Sequence, residues 1–269
     1  MADRDEPLPD APTAAERRVA AVLTAAAAAA VLAVGPFTEA VAGRSATVAL
    51  EAVAWDAWRQ VLARWEPLLI DEYLSTIEAT SAGVTVTFDA TALARAWGYE
   101  HSAALITSVT DSTRAAVSGI IVDGIGKGRS MDAVAGEVRA VIGLHPRWAT
   151  AVVNYRRRLI DQARPAAQVE RMSSRYGQKL LRARAMNIAR WEVQDARNMG
   201  RWRTWKEGQQ TGAFPTDQRK VWHAETPTAC PRCVQLAGEA PVGLDEPFSN
   251  GRLMPPDHVR CRCTAILTD

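Results

Sequence analysis

The chain has 269 residues, 48% hydrophobic and 23% charged, the proportions of an ordinary globular protein; they exclude a disordered chain and leave room for one large or two modest domains. The formal net charge of +2 conceals a division, because residues 1–100 carry 7 basic and 14 acidic side chains while residues 156–206 carry 14 basic and 4 acidic. Exposed charges act within a Debye length of roughly 8–10 Å, so the basic segment suits an anionic partner and the acidic one a different partner, unless both are only solvated helix faces.

Residues 1–12, MADRDEPLPDAP, are acidic and Pro-rich and are expected to form a flexible arm, with helix from Thr13 onward. The run Val19–Val34 follows Arg17 and Arg18 and is apolar apart from Thr24, in the manner of a signal peptide. Five acidic residues among the first sixteen, a core made mainly of alanine and a length short of the ~20 residues that span a bilayer favour a closely packed helix instead. No membrane association is expected. From Val48 to about Thr80, the residues Val48, Ala52, Trp55, Trp58, Leu62, Trp65 and Leu69 recur at steps of three and four. That is the buried stripe of one helix, which Pro67 should kink or interrupt, and its three tryptophans read as packing anchors. The polar and β-branched stretch Ser81 to Phe88 breaks the pattern, and helix is expected again from Thr91 to Val122.

The segment DGIGKGRS at 123–130 is Gly-rich and contains Gly-Lys, yet it is no phosphate loop. A helix precedes it where a strand is needed, and Gly128 follows Lys127 where Ser or Thr must stand. Its glycines should end one helix, and Ser130 should cap the next, with Asp132 in the first turn and Val134, Val138 and Ile142 buried. His145-Pro146 closes that helix, and residues 147–166 and 169 to about 207 read as two more. The second carries Leu181, Ala185, Ile188, Ala196 and Met199 on one face together with Glu192, a carboxylate that needs an arginine partner there or else serves as a functional acid.

After Gly208 the character changes to a polar Gly/Pro connection, a boundary near Phe214, and short β-like runs at Lys220–His223 and Thr264–Leu267 separated by loops. All four cysteines lie here, as Cys230-Pro-Arg-Cys233 and within PPDHVRCRC at 255–263, with Trp222-His223 ahead of them. About fifty loop-rich residues bury too little apolar surface to hold a fold alone. A structural zinc would supply what the core lacks, with Cys230, Cys233, Cys261 and either Cys263 or His258 as the preferred ligands; two disulfides would do the same in an oxidising environment. A catalytic reading would use His223 or His258 as base beside Glu192 or a zinc-bound water. The sequence shows no nucleophile elbow, HExxH helix or HxE…PCxxC pattern, so no enzymatic activity is expected.

The succession IARWEVQDARNMG at 188–200, Trp222-His223, Cys230 to Cys233, Leu236-Ala237-Gly238 and PPDHVRCRC resembles the minor head, or head morphogenesis, proteins of tailed phages typified by the F protein of phage Mu and the gene 7 product of phage SPP1. The likeness is strongest over residues 180–267; Trp191 stands where the family usually has Thr, and Ala237 where Asp is common. Some relatives carry a toxin or ADP-ribosyltransferase domain after this module, and none is expected here. The resemblance implies a virion component present in few copies, made in the host cytoplasm, associated with the portal and other head proteins, and influencing packaging or ejection of double-stranded DNA. The basic segment fits sequence-independent phosphate contacts through Arg156, Arg157, Arg158, Lys179, Arg182, Arg184, Arg190, Arg197, Arg201 and Arg203, with Trp191, Trp202 and Trp205 interleaved.

The expectation is thus a mainly α protein. An elongated bundle of about six or seven helices spans residues 13–212, and a small α+β module with a Cys/His cluster follows at 213–269. The function is structural and morphogenetic; the alternatives are a zinc-dependent hydrolase or nuclease acting on DNA, and a plain nucleic-acid-binding module.

Overall fold

The computed structural model describes residues 11–81, 88–225 and 229–268. Residues 1–10 of the expected arm and nearly all of Ser81–Phe88 lie outside the described residues. The chain divides into two compact units, one made of Met1–Val19, Glu66–Tyr99 and Asn187–Asp269, the other of Ala20–Trp65 and Glu100–Met186.

Helices dominate, in the order α1 (Ala14–Ala29), α2 (Val34–Ala42), α3 (Ala46–Glu51), α4 (Trp55–Leu62), α5 (Trp65–Thr80), α6 (Ala90–Gly126), α7 (Met131–Val141), α8 (Pro146–Asp161) and α9 (Ala166–Gln210). Among the described residues this is more than the six or seven expected before residue 212, and the surplus comes from short helices. The stripe from Val48 to Leu69 belongs to three helices and not one. Ala52 to Ala54 leave the helix so that Val53 can bridge to Leu32 and the Ala54 N–H can bond the Val31 carbonyl at 3.1 Å. Trp55, Trp58, Leu62, Trp65 and Leu69 are all buried, but Val48 is exposed. Pro67 breaks nothing: it is the third residue of α5, where its missing N–H has no intrahelical partner to lose.

In the Ala20–Trp65 and Glu100–Met186 unit, Leu23, Phe37, Trp58, Leu62, Ile121, Val134 and Leu144 are buried. The Trp58 indole donates to the Thr110 hydroxyl at 3.0 Å. The 123–130 turn behaves as its glycines suggest: α6 ends at Gly126, Gly128 takes φ +61°, and the Ser130 hydroxyl accepts the Ala133 N–H at 3.3 Å. Val134, Val138 and Ile142 are buried. His145 and Pro146 start a helix rather than close one, since the His145 ring accepts the Arg147 N–H at 3.3 Å and Pro146 is the first residue of α8, a position proline favours. That helix stops at Asp161, earlier than expected, where Ala163 turns to φ +54° ahead of Pro165.

In the other unit, β1 (Arg219–His223) is the middle strand of an antiparallel sheet ordered β2-β1-β3, with β2 (Val242–Gly243) and β3 (Thr264–Leu267) at its sides. Both β-like runs read from the sequence are therefore strands. A short helix, α10 (Pro231–Ala237), lies between β1 and β2. Alternation along β1 turns Lys220 and Trp222 inward, and Trp222 meets Phe248 edge-on at 5.2 Å. One stripe of α9 grips this sheet and its loops through donors four residues apart. Gln194 and Asn198 donate to the Cys263 carbonyl at 2.8 and 3.3 Å, the Trp202 indole to the Leu244 carbonyl at 3.0 Å, and Lys206 pairs with Asp245 at 2.6 Å.

Gly177 of α9 tests the packing. A Cβ there would lie 2.2 Å from the Ala140 carbonyl oxygen, whereas one at Gly119 of α6 would meet nothing within 4 Å. Gly119→Ala should stabilise by about 0.5–1 kcal/mol, the ordinary gain of alanine in a helix. Gly177→Ala should instead destabilise by about 2–3 kcal/mol, because backbone must move. Urea denaturation of both variants checks the pair; a gain at both positions would refute the close approach.

Candidate metal centre

Cys230 is the N-cap of α10, its sulfur accepting the Cys233 N–H at 3.4 Å, and Pro231 at the first helical position fixes the turn. This geometry sets Cys230 and Cys233 side by side. The second cluster arrives on a loop of bends and turns, residues 251–263, in which the Cys261 N–H donates to the His258 carbonyl at 2.9 Å. His258 Nε2 lies 3.3 Å from the Cys230 sulfur and 3.4 Å from that of Cys233, and the Cys233 and Cys261 sulfurs are 3.7 Å apart.

Two triads result, Cys230–Cys233–His258 and Cys233–Cys261–Cys263, each with its ligand atoms within 4.8 Å of one another, and Cys233 belongs to both. A cavity of about 30 Å³ lies among these five side chains, room for an ion or a water or two. Zinc–sulfur bonds near 2.3 Å and zinc–nitrogen bonds near 2.0–2.1 Å in a tetrahedron imply ligand-to-ligand edges of about 3.5–3.8 Å; the measured 3.3, 3.4 and 3.7 Å match them closely. The cluster can therefore hold a metal ion.

Its thiols perturb one another strongly. Burial and the neighbouring sulfurs push the Cys233 thiol up to about 12. Cys261 hydrogen-bonds Cys263, which holds Cys263 down to about 5 and drives Cys261 upward. Thiols this close cannot all ionise without a positive charge among them. The thiolate-rich donor set is that of closed structural sites, while catalytic sites keep one position open.

The other residues singled out in the sequence are dispersed. Trp222 is buried in the core of the sheet, where its side chain helps lower the Cys263 pKa without being a ligand itself, and His223 is exposed at the end of β1, outside the triads. Glu192 is buried on α9, also outside them. The basic segment divides sharply. Arg184 is buried, donating to the Gly143 carbonyl at 2.7 Å and the Ser112 hydroxyl at 2.6 Å, and burial holds its pKa down to about 10; Arg190 is buried too. Neither presents its guanidinium to a phosphate, a correction to the sequence reading. Arg156 is held by Glu170 at 2.6 Å, Arg197 by Glu72 at 2.9 Å, Arg203 by Glu207 at 2.6 Å, and Arg201 by Asn198 at 3.3 Å. Arg157, Arg158, Lys179 and Arg182 are exposed.

A residue that sequence reasoning missed is Glu16. Its side chain has no exposed surface, and both oxygens meet the guanidinium of Arg262, the residue between Cys261 and Cys263. Burial raises the Glu16 pKa, but Arg262, the Thr13 N–H and Arg190 outweigh it and leave the carboxyl below its ordinary value. A depressed folded pKa contributes stability that is complete above the unfolded value and lost as pH falls through the folded one. Glu16→Gln should accordingly cost about 2 kcal/mol at neutral pH. It should also lose part of its acid sensitivity below the carboxylate range, as thermal melts across pH would show; parallel pH profiles for both proteins would contradict the assignment. The signal for Glu16 is the spacing Thr13-x-x-Glu16, that of a capping box.

No helix among the described residues is long and apolar enough to cross a membrane. No curated protein and no solved structure matches the chain. The family described as Phage Mu protein F like protein matches residues 115–266, more than half of the chain and including all of the Cys/His cluster. The chain therefore belongs to the phage Mu F-like family of head morphogenesis proteins.

Proposed function

We propose that the chain is a minor head component of a tailed phage or prophage, present in few copies in the virion. It associates with the portal and neighbouring head proteins and acts in packaging or ejection of DNA, without enzymatic activity of its own. The observation that carries this reading is membership of the phage Mu F-like family over residues 115–266. The Cys/His cluster serves as a structural centre for one zinc ion, supported by ligand spacings that match a zinc tetrahedron. Non-specific contact with duplex DNA falls to Arg157, Arg158, Lys179 and Arg182, which stay exposed to solvent even though Arg157 also pairs with Asp123 at 3.1 Å.

Quantitative mass spectrometry of purified particles tests the reading, with a few copies per portal assembly expected; complete absence from particles would overturn it. Replacing Arg157, Arg158, Lys179 and Arg182 together by Ala should weaken duplex binding for every sequence and reduce its salt slope by roughly one for each phosphate no longer neutralised. Replacing Arg184 by Met should leave the salt slope unchanged in the fraction that folds. Equal slopes in the fourfold variant and the parent would remove DNA binding from the proposal.

A further inference from the structure

We propose that the metal centre is also a latch on the start of α1: with the ion bound, Arg262 is held where it neutralises Glu16, and loss of the ion frees the first turn of that helix. The proposal rests on reading the Cys/His cluster as a metal site, and it adds what that site controls.

The Glu16 carboxylate does two jobs at once. It accepts the Thr13 N–H at 2.7 Å while the Thr13 hydroxyl accepts the Glu16 N–H at 3.2 Å, the reciprocal arrangement that starts a helix. Such a glutamate ordinarily faces water, but this one has no exposed surface; Arg262 is its hydrogen-bonded countercharge and Arg190 adds a weaker coulombic one. A buried carboxylate stripped of its hydrogen-bonded partner is costly, and Arg190, the smallest of the stabilising contributions, does not replace the two bonds from Arg262, so loss of Arg262 drives Glu16 toward water. The cap of α1 then opens with it.

Arg262 in turn lies in neither helix nor strand, and its backbone is held by the Gln194 amide, at 3.4 Å from its carbonyl, and by its two cluster neighbours. Residues 256–263 are turn, bend and loop. Their placement depends on His258, Cys261 and Cys263 facing the ion cavity, and on the Cys263 carbonyl held by Gln194 and Asn198. Both neighbours of Arg262 belong to the cluster, so the guanidinium goes where the sulfurs go. Without a cation Cys233, Cys261 and Cys263 keep only apolar packing and weak S–H contacts such as that of Cys233 with Cys261 at 3.7 Å, which hold the loop less firmly than metal bonds would.

Limited trypsin digestion reads the latch directly, because Arg17 and Arg18 are exposed cleavage sites one and two residues beyond Glu16, and an intact helix resists cleavage. The full chain is compared as purified, after chelation, after return of zinc, and as the Arg262→Ala variant, with zinc content measured in each. Chelation is expected to accelerate cleavage after Arg17 and Arg18 by on the order of tenfold, and zinc to restore protection. Arg262→Ala should be cleaved as fast while keeping its zinc, since Arg262 is not a ligand. Zinc-loaded Arg262→Ala cleaved at the parental rate would overturn the latch, as would chelated protein that has lost zinc but not protection. If the purified chain holds no zinc and takes none up, the metal reading itself falls and its control of α1 with it. Faster cleavage of Glu16→Gln would then show that the ion pair alone secures the helix.

Discussion

The row of donors along α9 is the constraint on which the Cys/His module depends. Gln194, Asn198, Trp202 and Lys206 stand four residues apart, close enough to the helical repeat to share one stripe. Each ends in a nitrogen donor that meets the module: the Cys263 carbonyl for the first two, the Leu244 carbonyl for Trp202, and the Asp245 carboxylate for Lys206. Loop backbone in a small module carries many carbonyls that neither sheet nor helix can satisfy. A rigid rail of donors satisfies two of them and fixes the loop ends at the same time.

The Leu244 carbonyl shows how tightly the pieces converge. It accepts from the Trp202 indole on α9 and also, at 2.6 Å, from the ammonium of Lys220 on the central strand. Lys220 is fully buried, and burial lowers its pKa to about 8. The module tolerates a lysine in its core because the same side chain lies 5.4 Å over the Phe248 ring while its tip reaches a carbonyl. Few apolar residues are available in so short a stretch, and polar groups with assigned partners, together with the Cys/His cluster, complete the interior.

Much of this is legible in the sequence. The helix period predicts α6, glycines and Ser130 predict the turn into α7, and β-branched runs predict β1 and β3. The cysteine and histidine spacings point to the five side chains that the fold assembles. Where the structure departs from expectation, the causes are physical. The stripe from Ala52 to Leu69 stays buried through two breaks, with Ala52 and Val53 inward at the first turn, so periodicity alone does not reveal that it and Val48 belong to three helices. Arg184 and Arg190 count as phosphate contacts when charge is read from composition, whereas burial is decided by partners distant in sequence, such as Gly143 and Ser112 for Arg184. The donor row on α9 is hidden for a related reason: apolar residues mark a buried helix face in a sequence, and Gln194 and Asn198 face the module with amides.

The order in which the chain is made gives the α9 row one further consequence. Every group that α9 holds on the module, from Leu244 to Cys263, is synthesised after α9 itself, and β1 finds its longer partner strand only at Thr264–Leu267. At ribosomal rates of about 5–20 residues per second, the interval between the two amounts to a few seconds. During that time the α9 donors remain bonded to water, because the carbonyls they will hold are not yet made. The nascent protein thus passes through a stage in which a helix waits for its cargo.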